Sequence, residues 1–257
     1  EPDGRRKEFI LYSVKKGRDK VAALFLSPAS DKGRSTLRQG DNMWLYIPNV
    51  GKPVRITSLQ SVTGGVFNNA DILRVDYAEE YEATSAVDQG ESYLLDLKAK
   101  TGAVAYDRLK VTLDKKTVLP NEIEAYAASG MLVKTLRFKD VKDFGGGIRR
   151  PATVETDSPL YKGYKSVMLY AAVKKREVPD EVFTLTHLRD LRVGAPPDGW
   201  WSDRYPDCLT PSADRLNLAG ILAIRRRESH TTGDKHTGEV LHRGEGHHHG
   251  RQSLIAS

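Results

Sequence analysis

At 257 residues, with 39% hydrophobic and 29% charged side chains, the chain has the make-up of a soluble globular protein of one large or two small domains. The net charge of +6 permits contact with anionic headgroups or nucleic acid and demands neither. The longest apolar run, Leu218 to Ile224, is far too short to cross a bilayer as a helix.

In chain order, the first part reads as strand after strand. Phe9 to Val14 and Val21 to Leu26 flank the turn Lys16-Gly17-Arg18-Asp19, a hairpin signal. Arg34 to Leu37, Met43 to Ile47 and a short Val54 to Ile56 continue the series. Ser58 to Asp76 then breaks the alternation. It holds Gly64-Gly65 and a stretch, Asn69 to Val75, suited to two helical turns with Asn68 or Asn69 as N-cap. Strand periodicity resumes over Tyr81 to Val87, Ser92 to Ala99, Tyr106 to Leu113, Glu122 to Tyr126, Leu132 to Val141, Arg149 to Glu155 and Ser166 to Val173. Leu109, Val111 and Leu113 alternate with Lys110, Thr112 and Asp114, which predicts one buried face and one wet face. Pro179-Asp180-Glu181 opens a short helix predicted to run through Leu191.

About ten strands in series with short connections predict a mainly β, α+β chain built on one large curved antiparallel sheet. Helical material is too scarce to cover all of its apolar face, so the concave side is expected to be open to a ligand. From Gly194 the pattern stops. Residues 1–193 are expected to form the domain. Residues 194–257, with Trp200-Trp201, Arg225-Arg226-Arg227 and a His-rich end, are expected to be a low-complexity tail, disordered or non-native and dispensable for folding.

Enzymatic chemistry finds little footing. No His precedes His187, and the only Cys is Cys208, so no Ser-His or His-metal site can be assembled within the strands. The absence of Cys through Val193 suits an oxidising compartment. Gly145-Gly146-Gly147 lacks a following Lys and reads as a loop or bulge, not a phosphate cradle. Basic residues are scattered through every strand without an aromatic-basic motif, which argues against nucleic acid as a partner. Neither a metal nor a cofactor is expected.

Several short motifs in order carry a family resemblance over roughly residues 5 to 192. Ser27-Pro28, Asp31-Lys32-Gly33, Met43-Trp44-Leu45-Tyr46-Ile47-Pro48, Arg55-Ile56, Gly64-Gly65-Val66-Phe67-Asn68-Asn69 and Asp71-Ile72 resemble the outer-membrane lipoprotein-sorting proteins, which are similar to the LolA/LolB-type carriers. Leu119-Pro120, Ser129 to Thr135 and Val178 to Phe183 resemble that family's later strands and closing helix. The chain departs from it at Val66, where an acidic or polar residue is usual, and at Val54-Arg55, where two basic residues are common.

The resemblance implies an incomplete β-barrel over a short helical lid, with an acyl-binding cavity between them. The candidate cavity or lid residues are Phe25, Leu45, Ile47, Phe67, Ile72, Leu73, Leu95, Leu109, Val111, Ile123 and Met168, with Arg55 and Asp71 for gating or release. Taken singly, these apolar side chains equally suit plain core packing, Arg55 a strand-end surface position and Asp71 helix capping. The expected role is a non-enzymatic carrier in the periplasm of a Gram-negative bacterium. Such a carrier would be a monomer that binds an acylated lipoprotein or lipid and meets an inner-membrane exporter or outer-membrane acceptor. The opening at Glu1 without Met is read as a start near a processing site, with an export signal removed. The alternative is a periplasmic interaction module that assists an exporter and carries no lipid.

Overall fold

The computed structural model describes residues 7–61, 63–73, 76–175, 177–190 and, as backbone, 221–228. Strand β1 (Glu8–Lys16) turns at Gly17, whose φ of 62° lies where a Cβ would clash, and returns as β2 (Lys20–Ser27). β3 (Ser35–Gln39), β4 (Asn42–Tyr46) and β5 (Pro53–Ile56) extend this meander to an edge. The chain then crosses over through α1 (Asn69–Leu73) and α2 (Tyr77–Glu80). A second meander follows: β6 (Tyr81–Asp88), β7 (Ser92–Ala99), β8 (Arg108–Asp114), β9 (Pro120–Tyr126), β10 (Leu132–Asp143), β11 (Arg149–Asp157) and β12 (Tyr164–Tyr170). Gly145, Gly146 and Gly147, all at positive φ, form the loop between β10 and β11.

A last strand, β13 (Ile221–Glu228), joins the two meanders into one antiparallel sheet of thirteen strands that starts at β5 and ends at β6. The sheet is an open, incomplete barrel, as expected. β13 pairs with β1 (Phe9 opposite Ile224) and with β12 (Met168 opposite Ile224). This strand falls within the stretch that the sequence pattern sets outside the domain, so the sheet does not end at residue 193. Its assignment comes from two unpaired strand edges that it fills, a condition local alternation cannot reveal. Residues 191–220 and 229–257 lie outside the described residues.

Two clusters of buried side chains lie on opposite faces of β1 and β2, which explains the nearly continuous burial of β2. On the outer face, Tyr12, Val14, Ala22, Leu24 and Leu37 pack against Val182, Phe183 and Leu188. The predicted helix from 180 to 191 is instead two 3-10 helices, Asp180–Phe183 and His187–Asp190. Thr184 interrupts them with an extended backbone, and its hydroxyl bonds the Glu181 carbonyl (2.8 Å). Gln39 Nε2 reaches the Phe183 carbonyl (2.6 Å), and Lys20 and Lys16 pair with Asp180 (2.8 and 3.1 Å), so these turns are tied to the sheet. The larger cluster fills the concave face.

Candidate functional site

Alternation along the strands sends Phe9 and Leu11, Val21, Ala23 and Phe25, Leu109 and Val111, Ile123 and Ala125, Leu136, Val154 and Met168 to the concave side. Phe9 and Phe25 meet edge to face, with ring centroids 6.1 Å apart. Phe67, Ala70, Ile72 and Leu73 fill the space between these strands and belong to the same cluster. The concave face is therefore covered by a short crossing segment, not by a second sheet.

The segment organises itself locally. Asn69 N–H and Ala70 N–H bond the carbonyls of Gln60 and Ser58 (2.8 and 3.1 Å), and Asn69 Nδ2 bonds that of Thr57 (2.7 Å). Asn68 and Asp71 cap α1 reciprocally. Asp71 N–H donates to Asn68 Oδ1 (3.1 Å) and Asn68 N–H to Asp71 Oδ2 (2.9 Å), the geometry of a capping box.

Its attachment to the sheet is polar. Lys134, on β10, donates to Asp71 Oδ2 (2.7 Å) and to the Val66 carbonyl, and both charged side chains are about 95% buried (4% and 5% exposed). Tyr106 donates to Asp71 Oδ1 (2.9 Å) and accepts from Asn68 Nδ2 (2.8 Å). Burial, and next the Asp71 charge, push the Tyr106 hydroxyl well above its usual pKa, which keeps it a donor. Val66 N–H bonds Ser166 Oγ on β12 (3.1 Å). A Cβ on Gly65 would stand 3.0 Å from that oxygen, so the residue before Val66 must be small for the loop to sit so close.

At one rim, Arg38 pairs with Glu80 beside an open cleft of about 450 Å³ lined by Arg18, Asp41, Asp76, Glu79 and Lys100. Burial raises the Glu80 carboxyl pKa against the lowering pull of Arg38.

Most candidate apolar residues come together. Phe25, Phe67, Ile72, Leu73, Leu109, Val111, Ile123 and Met168 share one cluster, and Leu95 packs half-buried against it. Leu45 is buried further along β4, and Ile47, just past that strand, is half-buried. Asp71 lies at the centre of the attachment. Arg55 does not join it: it is exposed on edge strand β5 and bonds Asn42 Oδ1. Lys134, Tyr106 and Ser166 escape the sequence reading. The one available signal is Lys134, a charge at an inward position with Leu136 and Phe138 on the same face of β10.

The fold has counterparts in solved structures. A LolA superfamily protein from Nitrosomonas europaea matches with 24% identity and a TM-score of 0.58, over 71% of this chain and 90% of its own. A domain named for outer-membrane lipoprotein sorting, from Vibrio parahaemolyticus, matches with 20% identity and a TM-score of 0.59, over 72% and 90%. A DUF1329 family protein from Desulfovibrio piger matches with 20% identity and a TM-score of 0.54, over 71% and 90%. No curated protein matches the chain. A family model described as "uncharacterized protein" matches residues 17–190. The chain belongs to that family, and its fold is that of the LolA superfamily and lipoprotein-sorting structures.

Proposed function

We propose that the protein is a non-enzymatic periplasmic carrier that takes acyl chains of a lipid or lipoprotein onto its concave face, for transfer to the outer membrane. The observation that carries this reading is the separate covering segment. The apolar concave face is closed by residues 63–73, fastened through a few polar contacts, and displacing them would uncover an apolar trough.

The energies suit transport. A sixteen-carbon chain is worth about 12 kcal/mol out of water, at roughly 0.8 kcal/mol per methylene. Displacing Phe67, Ile72 and Leu73 costs about 1.5–3 kcal/mol each. One chain is then held by only a few kcal/mol net, and cargo with two or three chains correspondingly more firmly. A carrier has to release its load, so this partial offset is useful.

Among the described residues the only histidine, His187, lies in the 3-10 turns on the outer face, away from the concave side. No helix among the described residues is long and apolar enough to cross a membrane.

The interior filled by Phe67, Ile72 and Leu73 suits the second reading as well, an interaction module that assists an exporter without carrying lipid. Two measurements separate them: titration with a fluorescent fatty acid, and native mass spectrometry of protein purified from its host. A carrier binds the probe and shows added mass of lipid. Absence of both leaves the module.

A further inference from the structure

We infer that Lys134 is an anion subsite inside the trough, so that the acyl cargo is an anionic amphiphile whose headgroup carboxylate or phosphate takes the place of Asp71. The inference rests on the carrier reading and names its ligand class.

Lys134 is 4% exposed on a strand face it shares with Leu136 and Phe138, and a leucine would pack there without a charge to satisfy. The Asp71 carboxylate and the Val66 carbonyl that receive its hydrogen bonds both belong to the movable segment, none to the sheet. Whatever displaces that segment therefore strips a buried ammonium of its acceptors. A neutral ligand would leave the charge without an anion, with only the Tyr106 ring 5.6 Å away. An anionic one restores the pair.

The surrounding groups fit an anion too. Ser166 Oγ accepts the N–H of the same Val66 whose carbonyl Lys134 holds, so departure of one residue frees both groups together. Thr156 lies directly across from Ser166 and from Leu136 in the sheet. It is fully buried, and its hydroxyl has no hydrogen-bond partner among the described residues. The Lys134 ammonium and the hydroxyls of Ser166 and Tyr106 thus border the place Val66 and Asp71 occupy, with Thr156 next to Ser166 in the sheet.

The test compares cis-parinaric acid with its methyl ester, by fluorescence titration at about pH 8, where a carboxyl is ionised. The full-length protein is expected to bind the acid at least about tenfold tighter than the ester. Lys134→Met should bring that ratio to within about threefold. Asp71→Asn should do the opposite, tightening the acid and raising the ratio, because the ammonium loses its internal competitor. A purely structural ion pair would shift both variants in one direction. Circular dichroism checks their folding, and the head-group ratio of the unaltered protein stands without them. Equal binding of acid and ester overturns the anion subsite and leaves the carrier intact. A preference that survives Lys134→Met overturns it as well. Displacement of the bound acid by millimolar acetate or phosphate also overturns it, since the site would then be one for free anions. If neither probe binds, subsite and carrier fall together.

Discussion

Asp71 caps its own helix, takes the Tyr106 hydroxyl and neutralises Lys134, three roles for one carboxylate. Their magnitudes differ. Losing the cap through Asn68→Ala should cost about 1 kcal/mol, with a little more for the lost Tyr106 bond. Asp71→Ala should cost about 3–5 kcal/mol, because it leaves an uncompensated buried ammonium. Urea unfolding measures both, and near-equal losses would show that Lys134 finds another acceptor. A different carboxylate governs the acid limb. Lys165 (2.7 Å) and Lys139 (3.0 Å) flank Glu155 and hold its pKa below the ordinary 4.5. The folded chain therefore binds this proton less readily than the unfolded one. The stabilisation is complete above about pH 4.5 and is lost as pH falls through the lowered folded value. Glu155→Gln should remove a few tenths to about 1 kcal/mol at neutral pH and flatten that part of the acid limb. An unchanged pH profile would discount the pairing.

Two elements of similar size should behave differently. The crossing segment owes its place to four buried apolar side chains and a polar latch, a combination that favours opening short of global unfolding. Its amides should exchange faster than those of β10 to β12 in native-state hydrogen exchange. Ile72→Asp puts a second carboxylate into the concave cluster, where Ile72 is 5% exposed. Fatty-acid binding should weaken at least tenfold, about 1.4 kcal/mol, with the β circular dichroism retained. Arg55→Leu, on the edge strand, should leave uptake unchanged; an altered rate of release to vesicles would still assign it a part in delivery. The 3-10 turns, by contrast, are fixtures. Phe183 is fully buried against β1 to β3, and Phe183→Ala should cost about 3–5 kcal/mol with little effect on probe binding. A loss of binding there would connect the two faces of the sheet.

At the scale of the molecule, β13 decides whether there is one sheet or two. Its eight residues lie between β1 and β12, which have no other described partner on those sides. A chain stopped at Val193 keeps both meanders but leaves two strand edges facing each other unpaired. We expect it to melt well below the full chain, and to aggregate more readily, in a thermal scan with light scattering. Melting within a few degrees of the full chain would instead place the domain boundary near residue 193, as the composition break suggests.

What the sequence determined by itself is the local part of this structure. Alternation in Leu109 to Leu113 and the turn at Gly17 are properties of a few adjacent residues, so strands, hairpins and the inward apolar set were legible. The same holds for Asn68 and Asp71, whose spacing of three is that of a cap. Only the tertiary structure decided what those elements meet. Lys134 and Asp71 stand 63 residues apart, and Val66 and Ser166 stand 100 apart. Nothing local to β10 tells whether an inward lysine finds a carboxylate or water. Strand β13 is the extreme case, because two open edges distant in sequence make its apolar-then-basic run a strand. Pairing across the fold is set by which groups lack partners once the rest has packed, and that depends on the whole chain.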